Sequence, residues 1–239
     1  MYPAKSTWRA KFHLVLSVVT SVTLLSSCMG DLEAPDFPPT AYVSIYQGSP
    51  DAPAMDIFAN QNKVNRDPML FSQALPYNAF FPGDRDFRFA SFNSATSLLE
   101  KDFKLEADSV YSLFVVNESS NLDAVLIQDN WEEPKAESAQ VRLVHLSPDT
   151  ENVSLVITQE STKTIENVAF KGSSEFIEIP KGTTTLVIRS KTTNQTLLTS
   201  DVLDLKGNRV YSVLIRGLKA ESSGNKKLDL QILTNYINY

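Results

Sequence analysis

The stretch Ala139–Asp149 reads AQVRLVHLSPD and repeats an earlier stretch, Ala41–Asp51, which reads AYVSIYQGSPD. In both stretches, apolar residues occur at every second position before a Ser-Pro-Asp ending. An apolar period of two indicates a β-strand with one buried face, and proline in this position favours a turn. Each copy is therefore predicted to begin with a strand that ends in a turn, whose residues are Ser49, Pro50 and Asp51 in the first copy and Ser147, Pro148 and Asp149 in the second.

Other landmarks recur in the same order along the chain. Val110-Tyr111-Ser112 returns as Val210-Tyr211-Ser212, and Pro82-Gly83 parallels Pro180-Lys181-Gly182. Similarity that extends over a whole domain's length indicates a duplicated domain rather than an array of short repeats. We therefore predict a first repeat at 41–130, a charged linker at 131–138 and a second repeat at 139–239.

Within each copy, short apolar or β-branched runs alternate with turn residues. Tyr111–Val116, Thr184–Ile188 and Val210–Ile215 are examples of such runs. Runs of this length with regularly spaced turns are typical of β-sandwiches and barrels. The predicted fold class is all-β, with two tandem antiparallel β-sandwiches of the immunoglobulin-like or transthyretin-like type.

The opening run and a later strand resemble a known family. The run at Val141–Asp149 and the strand at Val210–Val213 are similar to the family catalogued as domain of unknown function 4397 (DUF4397). The first copy departs from the motif with Tyr46-Gln47-Gly48. The resemblance implies an extracytoplasmic β-sandwich, often present in tandem in lipoproteins of Bacteroidota, and it implies no activity.

The N-terminal region has the features of an export signal. Lys5, Arg9 and Lys11 precede the apolar stretch Leu14–Leu25, which is shorter than the roughly 20 residues of a membrane-spanning helix. The segment before Cys28 resembles the recognition site of bacterial lipoprotein signal peptidase. The resemblance implies a signal peptide at 1–27, acylation of Cys28 with chains such as palmitate, and anchoring in the outer membrane.

Residues 28–40 contain Pro35, Pro38 and Pro39 and are predicted to form an extended tether from the lipidated cysteine. Whether the domains face the cell surface or the periplasm is left open. The net charge of −6, which becomes more negative when the basic signal peptide is removed, disfavours nucleic acid as a partner.

The sequence offers few groups for catalysis. After signal cleavage the only histidine is His145, and the only cysteine is Cys28, so no metal site and no cofactor are expected. His145 lies near Ser147 and Asp149, but no nucleophile-elbow motif accompanies them. We expect Asp51 and Asp149 to hydrogen-bond the backbone of their own turns. A hydrolase that uses the paired carboxylates of Asp51 and Asp56 is an alternative, although Asp56 of the first copy corresponds to Ser154 of the second.

Aromatic residues are concentrated in the first repeat. Phe87 and Phe89 have the alternation of a core strand, whereas Tyr77, Phe80 and Phe81 lie beside Asn78 and Pro82 and are the candidate ligand-binding residues. The sequence therefore predicts a non-enzymatic, membrane-anchored envelope protein with a binding, adhesion or structural role. Its partner would be an unidentified envelope glycan or protein, and an accessory polysaccharide-binding protein is the first alternative.

Overall fold

Two β-sandwiches follow one another along the chain in the computed structural model, which describes residues 38–238. Apart from one 3-10 turn at Ser119–Asn121, the regular structure of these residues is entirely β-strand. The prediction of an all-β sandwich fold is confirmed. The described residues contain no helix that is long and apolar enough to cross a bilayer.

The first repeat consists of two four-stranded sheets. One sheet, called inner sheet 1, has the order β4-β1-β7-β8, and the other, called outer sheet 1, has the order β3-β2-β5-β6. The strands are β1 (Ala41–Gln47), β2 (Met55–Ala59), β3 (Asn62–Lys63), β4 (Ala74–Phe80), β5 (Gly83–Ser91), β6 (Ser97–Leu105), β7 (Val110–Val116) and β8 (Asp123–Gln128).

The second repeat has the same topology. Its inner sheet 2 has the order β12-β9-β16-β17, and its outer sheet 2 has the order β11-β10-β13-β14, with β15 also paired to β13. The strands are β9 (Ser138–His145), β10 (Val153–Thr158), β11 (Thr162–Val168), β12 (Ile177–Pro180), β13 (Gly182–Ser190), β14 (Thr196–Thr199), β15 (Leu203–Leu205), β16 (Arg209–Arg216) and β17 (Asp229–Ile237). The two repeats are equivalent, except that β14 and β15 together take the place of β6.

The opening strand of each repeat lies at the centre of an inner sheet. It pairs in parallel with the strand that carries the Val-Tyr-Ser sequence, β1 with β7 and β9 with β16. All other strand pairs in the four sheets are antiparallel. A parallel neighbour covers one edge of the opening strand and an antiparallel neighbour covers the other, so this strand is buried in the middle of its sheet.

The inner sheets are buried on both faces. In β7, Leu113 and Val115 point into the core of the first repeat, whereas Phe114 and Val116 belong to a third apolar cluster that lies between the repeats. The third cluster consists of Tyr46, Phe114, Val116, Val144, Leu146 and Leu214, all at most 2% exposed. Complete burial of each such side chain stabilises the fold by roughly 1.5–3 kcal/mol. Residues from Pro39 onward accordingly form one compact unit. The predicted bounds of the separate domains and of the linker stay a prediction.

A tyrosine fixes the turn before the central strand in each repeat. The hydroxyl of Tyr111 accepts a hydrogen bond from the backbone N–H of Glu106, and the hydroxyl of Tyr211 accepts one from Lys206, both at 3.2 Å. The arrangement is similar to the tyrosine corner of immunoglobulin-like sandwiches. The same turns contain Asp108 and Asn208 with nearly identical positive φ angles of 58° and 57°.

Candidate functional site

The Ser-Pro-Asp turns connect each opening strand to a distant loop. The carboxylate of Asp51 accepts hydrogen bonds of 2.7 Å from the backbone N–H and the hydroxyl of Ser119. The carboxylate of Asp149 accepts 2.8 Å bonds from the backbone N–H groups of Lys219 and Ala220. The sequence predicts bonds of these carboxylates within each turn, and the structure shows further bonds to the loops that follow β7 and β16. These aspartates therefore hold two loops together at one end of each sandwich.

His145 has a structural role at the end of β9. Its ring is completely buried, Nδ1 accepts a 3.3 Å hydrogen bond from the backbone N–H of Ser147, and Nε2 lies 3.0 Å from the carbonyl of Glu151. Nε2 therefore carries the proton of the neutral ring. Burial lowers the pKa of His145, which is consistent with this neutral form.

The first repeat makes the corresponding bond with an amide. Gln47 stands at the position equivalent to His145, and its Oε1 accepts a 2.6 Å hydrogen bond from the backbone N–H of Ser49. Both repeats therefore require a side-chain acceptor at this position for the backbone N–H of the serine in the turn. A glutamine performs this role without a titratable ring.

The three residues of the possible catalytic triad do not form its hydrogen-bond relay. The Ser147 hydroxyl bonds to Thr150 at 2.7 Å and to Asp149 at 3.1 Å, while the His145 ring bonds only to backbone groups. In the alternative acid pair, Asp56 forms a 2.7 Å ion pair with Lys63. No group of three or more His, Cys, Asp or Glu side chains within residues 38–238 is arranged to hold a metal ion.

The structure separates the three candidate aromatic residues. Tyr77 points between the repeats, where its hydroxyl lies 2.6 Å from Asp129. Phe80 packs against Phe87 at a centroid distance of 5.7 Å and contacts the core of the first repeat. Phe81 is 68% exposed. Of the three, only Phe81 presents most of its surface to solvent.

Phe81 lies at the edge of a groove of about 420 Å³. The groove is lined by aromatic and amide side chains, which include Phe80, Phe81, Asn60, Asn62 and Asn78. Arg85 donates hydrogen bonds of 2.9 and 2.8 Å to the carbonyls of Phe81 and Pro82. These bonds fix the turn that carries Phe81, so the exposed ring is held in place rather than left to rotate with a loose loop.

The second repeat has a groove at the equivalent position, between the β10–β11 turn and the start of β13. Its volume is about 830 Å³, and its lining is mainly hydroxyl and charged, with Glu160, Ser161, Lys181 and Thr183. The place of Phe81 is taken by Pro180, next to Lys181. The two grooves share a location in the fold but differ in chemistry.

A buried ion pair joins the two repeats. Nη1 of Arg142, on β9, lies 2.6 Å from Oδ1 of Asp129, which follows β8, and both side chains are at most 1% exposed. Arg142 also donates hydrogen bonds to Ser212 at 2.8 Å and to Ser112 at 3.1 Å. Since buried charges require both a partner and hydrogen bonds, this cluster fixes how the inner sheets face each other.

Aromatic rings surround the ion pair. The Arg142 guanidinium lies 4.6 Å from the centroid of Phe176, and Trp131 contacts Tyr77, Phe176 and Tyr236 at 5.8 to 6.2 Å. Burial, followed by the charge of Asp129, raises the pKa of Tyr77 above its ordinary value, so its hydroxyl stays protonated and donates to the carboxylate. Trp131 lies in the predicted linker, yet its ring is part of this interface.

A second ionic contact also crosses between the repeats. Asp123 forms ion pairs with Lys101 of its own repeat at 2.8 Å and with Lys171 of the other repeat at 2.6 Å. Partial burial of Asp123 acts to raise its pKa, but hydrogen bonds from the two lysines lower it to about 2. Sequence reasoning did not find these contacts, because the partners are far apart in the chain.

Cys28, the predicted lipidation site, lies outside the described residues 38–238. The same is true of the signal peptide and of most of the tether. Their assignments stay predictions.

The sequence profile of one family matches the chain over residues 41–156, which include the whole first repeat, strand β9 and the first part of strand β10. That family is described as domain of unknown function (DUF4397). Over these residues the chain belongs to the DUF4397 family. The DUF4397 description names no activity. No curated protein matches the chain.

Three solved structures are similar to the chain at low levels. A DUF3823 family protein from Bacteroides ovatus is 11% identical with a TM-score of 0.20, covering 70% of this chain and 99% of its own. A Bacteroides ovatus protein with the provisional description of a cell adhesion protein is 9% identical with a TM-score of 0.25, covering 85% and 99%. A leucine-rich repeat protein from Bacteroides thetaiotaomicron is 7% identical with a TM-score of 0.21, covering 73% and 25%. At these TM-scores the similarities carry no functional argument.

Proposed function

We propose that this DUF4397 protein is a lipid-anchored, non-catalytic module of the bacterial cell envelope, in which both repeats act together as one rigid body. The observation that carries the proposal is the double-sided burial of the inner sheets, with the third apolar cluster and the Arg142–Asp129 pair between them. Two sandwiches joined by a flexible linker would suit bivalent capture of separate ligands. A rigid body instead suits a fixed spacer or the presentation of one continuous surface.

The anchoring part of the proposal is tested by metabolic labelling. Cells that express the tagged chain are fed an alkyne analogue of palmitate, and the label on the chain is compared with that on the Cys28→Ala variant. We expect labelled native protein in the membrane fraction and an unlabelled variant outside it. Equal labelling of both proteins would contradict anchoring at Cys28.

The rigid-body part is tested by limited proteolysis of the purified chain. Trp131 is packed, and Gln140 bonds the backbone of Glu132 at 2.5 and 3.1 Å, so we expect residues 131–138 to resist cleavage under native conditions. Rapid cutting in this segment, releasing two stable halves, would disprove a single rigid body. Proteolysis on intact and on lysed cells further reports which face of the membrane the module occupies.

A second candidate function, binding of an envelope polysaccharide, is supported by Phe81. An exposed aromatic ring beside amide side chains suits stacking on a sugar ring with hydrogen bonds to its hydroxyl groups. Phe92, 41% exposed, provides a matched control outside the groove. Affinity electrophoresis against envelope polysaccharides is expected to show retardation that Phe81→Ala abolishes and Phe92→Ala preserves, and equal effects of the two variants would exclude this groove.

A further inference from the structure

The interface between the inner sheets is built from equivalent residues of the two repeats. Ser44 pairs with Ser112 across β1 and β7, and at the same register Arg142 pairs with Ser212 across β9 and β16. Ser44 is therefore the structural equivalent of Arg142. Because both residues point into the space between the repeats, the interface has an approximate two-fold symmetry.

Two further positions obey the same symmetry. Tyr111 pairs with Gln128, the residue before Asp129, and Tyr211 pairs with Thr234, the residue before Asn235. A β-bulge lies at this point, where Val210 pairs with Tyr236, and Asn235 follows Thr234 as Asp129 follows Gln128, so we take Asn235 as the counterpart of Asp129. The symmetry mate of the Arg142–Asp129 ion pair is consequently the combination of Ser44 and Asn235.

This mate position contains a cavity. A serine is much smaller than an arginine, and a cavity of about 300 Å³ lies between the inner sheets with Ser44 and Asn235 in its lining. Tyr77, Tyr46, Phe114, Leu75 and Leu233 form the rest of its aromatic and aliphatic wall. The cavity thus lies where the symmetry would place a second arginine side chain.

The hydrogen bonds at the cavity determine which of its groups are available. The single proton of the Tyr77 hydroxyl goes to Asp129, so the contact of 2.7 Å from Asn235 to this hydroxyl must come from the amide nitrogen. This orientation leaves Oδ1 of Asn235 as a buried acceptor without a partner. Similarly, Ser112 donates its proton to Asp129, so Ser44 donates to Ser112 and keeps its own lone pairs free.

We propose that this cavity binds a small molecule with a planar N–H donor group, guanidino or ureido, on a short apolar chain. The donor group would reach Oδ1 of Asn235, as the Arg142 guanidinium reaches Asp129, and the apolar chain would contact Phe114 and Leu233. The proposal rests on the packing of the two inner sheets, which the rigid-body function also requires, and it is independent of the lipid anchor.

The charge of the ligand group is decided by experiment. Arg142 is neutralised by Asp129, and Asn235 is itself uncharged, so the cavity has no unpaired acid to attract a cation. We expect the neutral ureido compound to bind at least as well as the charged guanidino compound. The probes are N-butylurea and N-butylguanidinium, which share shape and donors and differ in charge.

Binding is measured by calorimetry on the purified full chain in detergent. In Ser44→Gln, the longer side chain fills the cavity and offers its own amide to Asn235, so we expect binding to be weakened by about tenfold or more. Ser44→Ala is the comparison variant, because it removes the Ser44 hydroxyl but leaves the cavity open and Asn235 in place, so we expect it to weaken binding by less than Ser44→Gln does. Unfolding curves confirm that each variant is folded.

A second design restores the symmetry. The double variant Ser44→Arg with Asn235→Asp rebuilds the ion pair of the other half, and we expect it to fold and to bind neither probe. Absence of saturable binding by the native chain would overturn the proposal and leave solvent as the occupant. Binding that persists unchanged in both Ser44→Gln and the double variant would place the ligand elsewhere and would overturn it equally.

Discussion

Removal of either member of the Arg142–Asp129 pair should destabilise the whole chain, but not by the same amount. In Asp129→Leu, the guanidinium keeps its hydrogen bonds to Ser112 and Ser212 yet loses its carboxylate partner. In Arg142→Met, the carboxylate keeps the hydroxyl protons of Ser112 and Tyr77. Both changes leave an unpaired charge at a site that is at most 1% exposed.

The expected cost follows from this burial. Loss of one partner from a buried ion pair costs about 3–5 kcal/mol, against a total of about 5–15 kcal/mol for a folded chain. A carboxyl group can take up a proton and become neutral, whereas a guanidinium cannot lose one. We therefore expect Asp129→Leu to cost more than Arg142→Met.

Urea titrations of the native chain, both single variants and the double variant test this reasoning. The double variant replaces the ion pair with apolar side chains, and its free energy of unfolding should be higher than that of Asp129→Leu. Because the pair lies between the repeats, the native chain should unfold in one transition, and Asp129→Leu should separate it into two. Additive costs together with no difference between the single variants would refute the argument.

Three further predictions concern individual contacts. The His145→Gln variant should have the free energy of unfolding of the native chain, because Gln47 accepts the equivalent hydrogen bond in the first repeat. In urea titrations, His145→Ala should lower the free energy of unfolding by about 1–3 kcal/mol. Since burial lowers the pKa of His145 below its unfolded value of about 6.5, native stability should fall as the pH decreases below that value, and in His145→Gln this loss should be absent. Asp123, whose pKa is about 2 in the fold, should contribute stability above pH about 4 that is lost towards pH 2, and circular dichroism should show that Asp123→Asn removes this step. Tyr211→Phe should lower the unfolding free energy by about 0.5–1.5 kcal/mol, because it removes the acceptor of the Lys206 N–H.

The repeat and the strand pattern could be predicted because both are local in sequence. The alternation of Val141 and Leu143 with polar residues places one face of β9 in a core, and the structure confirms that these two side chains are completely buried. The Ser-Pro-Asp turns could also be predicted, because each is formed by three consecutive residues. The hydrogen bonds of Asp149 to Lys219 and Ala220 could not be predicted from the sequence, because they depend on the parallel pairing of β9 with β16.

The inter-repeat interface left a weaker signal in the sequence. Strands buried on both faces appear as continuous apolar runs, and Leu113–Val116 and Val213–Ile215 are such runs. They indicate that something covers the second face without naming it. Arg142, a charged residue within an apolar strand, was a second signal, but its partner Asp129 could be assigned only from the three-dimensional structure.

The differences between the two copies follow from the symmetry of their interface. Two equivalent halves meet there, and one buried ion pair is sufficient to fix how the sheets face each other. A second pair would require the desolvation of two more charges, with a penalty of several kcal/mol for each ion. Ser44 and Asn235 are uncharged and avoid this penalty. Because serine is smaller than arginine, a cavity remains at the position that corresponds to Arg142 in the other half of the interface. The first copy therefore has serine at position 44, where the second copy has Arg142, because the two inner sheets face each other. In two independent domains, nothing would disfavour a charged residue at this position.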